Sequence, residues 1–270
     1  MATTRRLLAS IGLAGALAVA GPAVAEAAER LVLIGGGTKP PAAVLRFVEW
    51  AGGPASRILI VPWASAEPAE SASAFQEDLA PHHKGKVDIA PLAPLDEAKR
   101  SQVKEALQAA TGVFFTGGDQ GRIMDELKDD DLLAAFVARF REGIVFAGSS
   151  AGTAIMSPRM ITGNGDFTVI DAARVETRPG LGLLQGTIVD QHFVKRQREN
   201  RLFGLILAFP DALGVGIDED TALVVEDGKR GSVMGDGVVV LVDGRAEPGA
   251  LVVRLARPGQ SVDLESRRVR

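Results

Sequence analysis

The chain has 270 residues, 46% hydrophobic side chains, three histidines, no cysteine and a formal net charge of −4. That length can bury the core of one domain of about 240 residues, and the acidic balance argues against nucleic acid or an anionic membrane surface as a partner. The lack of cysteine excludes disulfides, thiolate catalysis and cysteine–zinc sites.

In chain order, residues 1–25 stand apart. Arg5-Arg6, an apolar run over 7–20 and Ala23-Val24-Ala25 supply the charged region, apolar region and small-residue cleavage site of a signal peptide. The apolar run is too short for a permanent span, which needs about 20 residues. Thr4-Arg5-Arg6-Leu7-Leu8 also fits a twin-arginine export signal, so both the Sec and twin-arginine routes stay open. The expected location is periplasmic or extracellular. Removing 1–25 leaves 28 basic against 34 acidic residues, a net of −6.

Residues 26–270 are expected to form one α/β domain. Strands are predicted over Arg30–Ile34, 57–62, 87–90, Gly112–Phe115 and 144–147. Helices are predicted between them over 41–52, 69–79, 96–110, 121–127 and Asp130–Arg141. This alternation predicts a mostly parallel central sheet with helices on both faces. Beyond it, 164–177 reads as loop, 187–189 as a strand ending at Asp190, and 193–207 as mostly helical. Runs at Leu213–Ile217, 222–225, 237–242 and 250–255 make the C-terminal part β-rich, with antiparallel or edge strands.

The segment Gly148-Ser149-Ser150-Ala151-Gly152, between an apolar strand and a helix start, has the G-x-S-x-G form of a nucleophile elbow. Such a turn strains its central residue and needs small neighbours. It would lift the Ser150 hydroxyl clear of the sheet and aim the Ala151 N–H where an oxyanion forms. Gly117-Gly118, at another strand end, offers a second donor. A phosphate-binding Gly/Ser loop is the plainer alternative.

A serine nucleophile needs a base. His82 and His83 lie in a polar stretch and read as solvated; His192, in Asp190-Gln191-His192-Phe193 just past an apolar strand, is the candidate. Spacing alone leaves the orienting acid open among Asp171, Asp190, Asp218, Glu219 and Asp220. The order Ser, His, acid differs from the Ser, acid, His order of α/β-hydrolases. Lys195, Arg196, Arg198 and Arg201 follow the candidate base and suit substrate carboxylates. Asp119, Gln120, Asp190 and Gln191 add acceptors that suit a guanidinium.

Together Thr116-Gly117-Gly118-Asp119-Gln120, Gly148–Gly152, Asp190–Phe193 with Arg196, Arg198 and Arg201, and Gly216–Ala222 resemble the serine peptidase family of cyanophycinase and aspartyl dipeptidase E over about residues 30–225. The resemblance implies a class I glutamine amidotransferase-like fold and a Ser150–His192–Glu219 triad. Gly118 and Ala151 would lie near the oxyanion, and Gln120, Asp190, Gln191, Arg196, Arg198 and Arg201 would contact substrate. The implied activity is an exopeptidase releasing β-Asp-Arg dipeptides from cyanophycin, arginyl-poly-aspartate, without a cofactor or metal. An aspartyl dipeptidase on small Asp-X peptides and a non-catalytic periplasmic binding protein are the alternatives, and a homodimer is the usual assembly of relatives. The chain departs from the pattern at Asn200, where the family often carries glycine, and in its export signal.

Overall fold

The computed structural model describes residues 28–128 and 130–270; the expected signal peptide lies outside them. The large sheet begins with five parallel strands: β1 (Arg30–Ile34), β2 (Ile58–Val61), β3 (Val87–Ile89), β4 (Gly112–Phe115) and β5 (Val145–Ser149). Their spatial order is β1-β5-β4-β2-β3, with Ile34 opposite Ser149 and Phe115 opposite Gly148. Both faces are covered, because alternate strand residues bury in opposite directions. Leu31, Leu33, Val113 and Phe115 join Val103, Leu107 and Phe136 of α3 (Glu97–Ala109) and α5 (Asp130–Arg141). Val32, Ile34, Ile58 and Phe114 join Val44, Phe47 and Phe75 of α1 (Pro41–Trp50) and α2 (Pro68–Leu79). Phe75 and Phe114 stack with centroids 3.4 Å apart. Completing this half, α4 (Gln120–Glu126) follows β4 and the short α6 (Ala151–Ala154) follows β5.

The β-rich remainder has two destinations. β10 (Thr221–Glu226), β11 (Arg230–Gly235), β14 (Ser261–Asp263) and β15 (Arg268–Val269) extend the large sheet antiparallel from β1. A second sheet has the order β13-β12-β9-β8. It comprises β8 (Thr187–Gln191), β9 (Leu213–Ile217), β12 (Val239–Asp243) and β13 (Val252–Ala256), with only β8 and β9 parallel. Val189, Val215 and Leu241 face the same core as Leu31 and Phe115, while Ile188 and Val240 pack on α7 (Glu199–Ala208).

Three local expectations need correction. Residues 164–177 are not simply loop: β6 (Arg159–Gly165) and β7 (Val175–Pro179) form an irregular hairpin whose register shifts between Ile161 and Gly165. Such a shift breaks the alternation that marks strands. The helix expected from 193 starts only at Glu199, because Gln197 takes φ 52° and the preceding backbone closes turns such as Arg198 N–H to the Phe193 carbonyl. His83 is buried, its Nε2 2.8 Å from the Ser56 carbonyl oxygen, and is no solvated surface histidine.

Candidate active site

Strand ends from both sheets converge at one place, the carboxyl edge where open α/β sheets bind ligands. β5 ends at Ser149 and the chain reverses through Ser150. The flanking glycines make the reversal feasible, since a Cβ on Gly148 would lie 2.2 Å from the Gly152 carbonyl oxygen and one on Gly152 2.2 Å from that of Phe115. Ser150 has φ 52° and ψ −109°, a conformation that costs an L-residue about 1–3 kcal/mol. Backbone bonds hold it there: its N–H donates to Ile34 (2.9 Å), and its carbonyl accepts from Thr153 (2.9 Å) and Ala154 (3.0 Å).

β8 delivers His192, also left-handed at φ 50°, whose N–H donates to the Gly35 carbonyl at 2.8 Å. Its ring lies over Gly36, where a Cβ would come within 2.1 Å of Cε1. Ser150 Oγ is 2.7 Å from His192 Nε2, and His192 Nδ1 is 2.6 Å from Glu219 Oε1, just past β9. Glu219 accepts from Nδ1–H, which leaves the Nε2 lone pair to accept from the Ser150 hydroxyl. Burial, the largest influence, lowers the His192 pKa below its ordinary 6.5; the hydrogen bond to Glu219 pulls it up, and the positive charges of Arg196 and Arg198 add to the lowering, so that the net shift is downward. The imidazole is therefore neutral near neutral pH, the state a proton acceptor needs.

The acids that spacing left open are engaged elsewhere. Asp218 accepts from the Lys195 N–H (2.9 Å), Asp220 from the Thr38 N–H (2.6 Å) and Asp171 from the Ala173 N–H (2.9 Å). The N–H groups of Gly118 and Ala151 have no acceptor among the described residues. Gly118 has φ 137°, and a Cβ there would meet the Ala64 carbonyl oxygen at 2.1 Å.

A cavity of about 290 Å³ opens beside Ser150 and is lined by Gly118, Gln120, Gln191, Arg196, Arg198 and Arg201 among others. Asp190 does not line it. Its buried carboxylate grips Arg201, with Nε–Oδ2 at 2.6 Å and a second bond from Nη2 to Oδ1. Arg201 also lies over the Phe167 ring at 4.7 Å. The acceptor that the sequence offered at Asp190 is therefore already occupied by a cation of the protein. Arg198 reaches the Gln191 carbonyl oxygen (2.8 Å) and Oε1 (2.7 Å). Burial, with the neighbouring charge of Arg201, pushes its pKa down to about 10, still charged at neutral pH. Gln120 donates Nε2–H to the Ile161 carbonyl (2.7 Å), tying α4 to the hairpin. Asn200 donates towards the Phe167 and Thr168 carbonyls (3.4 and 3.3 Å), a tether a glycine there would lack.

Sequence reasoning passed over two parts of the site. One is the Gly35–Gly36–Gly37 run after β1, visible as three consecutive glycines at a strand end. The other is the part of the cavity lining formed by Thr162, Asn164 and Glu176 of the hairpin; the last two fall in the 164–177 segment that the sequence presents as loop. Among the described residues no group of three or more His, Asp or Glu is placed to hold a metal ion. No helix among them is long and apolar enough to cross a membrane.

Comparison with known proteins gives consistent matches. The family model for peptidase family S51 matches residues 31–233. The cyanophycinase of Nostoc sp. is 39% identical over 223 residues, 81% of this chain and 75% of that protein. The cyanophycinase of Geminocystis herdmanii is 36% identical over 208 residues, 74% of each. Among solved structures, a peptidase from an acI-B1 actinobacterium superposes with a TM-score of 0.68 at 21% identity, covering 88% of this chain and 97% of that one, and so shares the fold.

Proposed function

The chain belongs to peptidase family S51 and is a serine-type peptidase, and on that premise we propose that it hydrolyses cyanophycin to β-Asp-Arg dipeptides by a Ser150–His192–Glu219 acyl-enzyme mechanism. The observation that carries the mechanism is the continuous run from Ser150 Oγ through His192, 2.7 Å on one side of the ring and 2.6 Å on the other. Support for the substrate comes from the cyanophycinase relatives and from the arginines that line the cavity.

Ser150 Oγ attacks a backbone carbonyl carbon of the polymer while its proton passes to His192 Nε2. Glu219 keeps the imidazole in the required tautomer and balances the imidazolium. The N–H groups of Gly118 and Ala151 hold the oxyanion; losing one such donor typically costs about 3 kcal/mol of barrier. The imidazolium then protonates the departing amine, and a water activated by the same ring releases the acyl group from Ser150. Arg196 and Arg198 orient aspartate carboxylates beside the cut, an arrangement ordinary peptides would not match.

The signal-like segment at 1–25 supports export, by either route, to the periplasm or beyond, where one mature domain would scavenge polymer. Purified protein incubated with insoluble cyanophycin is expected to release soluble β-Asp-Arg, and Ser150→Ala to release none. No clearing by the wild type, or undiminished clearing by the variant, refutes the proposal.

A further inference from the structure

The lining of the cavity beside Ser150 carries charges of both signs: Arg178, Arg196, Arg198 and Arg201 on the one hand, Asp119, Asp125 and Glu176 on the other. The three acids are not equivalent. Asp125 is paired with Arg178 at 2.6 Å, and Asp119 caps α4 through Oδ1, which accepts from the Gly121 N–H at 2.8 Å. Glu176 has no cationic partner among the described residues. One of its oxygens, Oε2, accepts from Asn164 Nδ2 (2.6 Å) and lies 3.1 Å from Thr162 Oγ1. The other, Oε1, has no hydrogen-bond partner among the described residues. A carboxylate fixed through one oxygen and open through the other, on the wall of a cavity, is prepared for an incoming donor.

We propose that Glu176 is the specificity residue that receives the guanidinium of the substrate's arginine, in the same cavity as the arginines that receive carboxylate. This rests on the reading of the cavity as the peptidase site. The assignment moves cation recognition away from Asp190, whose carboxylate Arg201 occupies, and onto the β6–β7 hairpin. A charge-assisted hydrogen bond in a partly enclosed cavity discriminates a guanidinium from a neutral isostere of the same shape. Thr162 and Asn164 act as positioning residues for that carboxylate.

The test compares wild type, Glu176→Gln and Glu176→Asp on a β-Asp-Arg oligomer and on the same oligomer carrying citrulline, arginine's neutral isostere. Wild type is expected to prefer the arginine oligomer. Glu176→Gln should raise KM for it by about tenfold or more, with a much smaller change in kcat, and lose the preference over citrulline. Glu176→Asp should regain part of it. Equal arginine-to-citrulline discrimination in wild type and Glu176→Gln overturns the assignment. Calorimetric titration with argininamide decides the point without turnover: weaker binding to Glu176→Gln supports the assignment, and equal binding overturns it. A wild type that binds argininamide through Glu176 yet cleaves neither oligomer would sink the cyanophycinase reading alone.

Discussion

At the scale of single residues, the protonation state of His192 is the quantity on which the proposed mechanism turns. Its buried ring is pushed towards the neutral form by desolvation first and by Arg196 and Arg198 next, against the pull of Glu219. If His192 is the base, as proposed, the free enzyme needs no alkaline medium to hold it ready, and the acid limb of kcat/KM is expected below 6.5. Arg196 is exposed and 3.7 Å from Glu219 Oε1, so it both repels a proton on His192 and screens the acid that attracts one. Replacing it by Gln removes both effects, and each raises the histidine pKa. Arg196→Gln is thus expected to move the acid limb of the pH–rate profile upward, whatever it does to KM. A pH–kcat/KM series on a soluble β-Asp-Arg oligomer checks this; an unmoved or lowered limb would contradict it.

At the scale of elements, the end of β1 organises the site without contributing a reacting group. Gly35 accepts from the His192 N–H (2.8 Å), Ile34 from the Ser150 N–H (2.9 Å) and Gly36 from the Asp220 N–H (2.9 Å). Three segments from two sheets are thereby locked to one strand end. Gly36 is indispensable for two reasons: its φ is 121°, and a side chain would occupy the space of the His192 ring. Gly36→Ala should displace the imidazole by a fraction of an ångström or more, and a misplacement of that order costs about 10²-fold in rate. The expected result is a loss of roughly that size in kcat, slower labelling of Ser150 by a serine-directed phosphonate, and an unchanged far-UV spectrum. Activity within twofold of wild type would show that the ring does not depend on this packing.

At the scale of the whole molecule, the two sheets are tied far from the site by Arg267, adjacent to β15. Buried, it lies 2.5 Å from Asp243 Oδ1 of β12 and donates to the carbonyls of Pro210 and Asp211. Asp243 pairs with the start of β9, whereas Glu219 follows its other end, so this tie and the candidate triad lie at opposite ends of the small sheet. Breaking a buried pair typically costs about 3–5 kcal/mol. Arg267→Ala should therefore lower the melting temperature by roughly 10 °C while kcat/KM below the transition stays at the wild-type value. Equal melting temperatures would contradict the tie. Burial alone would raise the Asp243 pKa, but the Arg245 N–H and Arg267 outweigh it and hold the carboxyl below its ordinary 3.8. Its contribution is thus complete above 3.8 and lost as pH falls through the lower folded value.

The sequence by itself determined the features that depend on local chemistry. The βαβ half was legible because strand and helix periodicities differ, and the elbow because only glycine fits at 148 and 152. The resemblance singled out Glu219 where spacing left several acids open. The hairpin β6–β7, with its shifted register, and the short strands β11, β14 and β15 carried too weak a pattern to be found. Tertiary structure alone decided which charges meet: that Asp190 turns to Arg201, that Gly36 lies under His192, and that Glu176 faces the cavity with one oxygen unpaired. The physical reason is that pairing energies depend on distances between segments remote in sequence, and those distances exist only once the two sheets have packed.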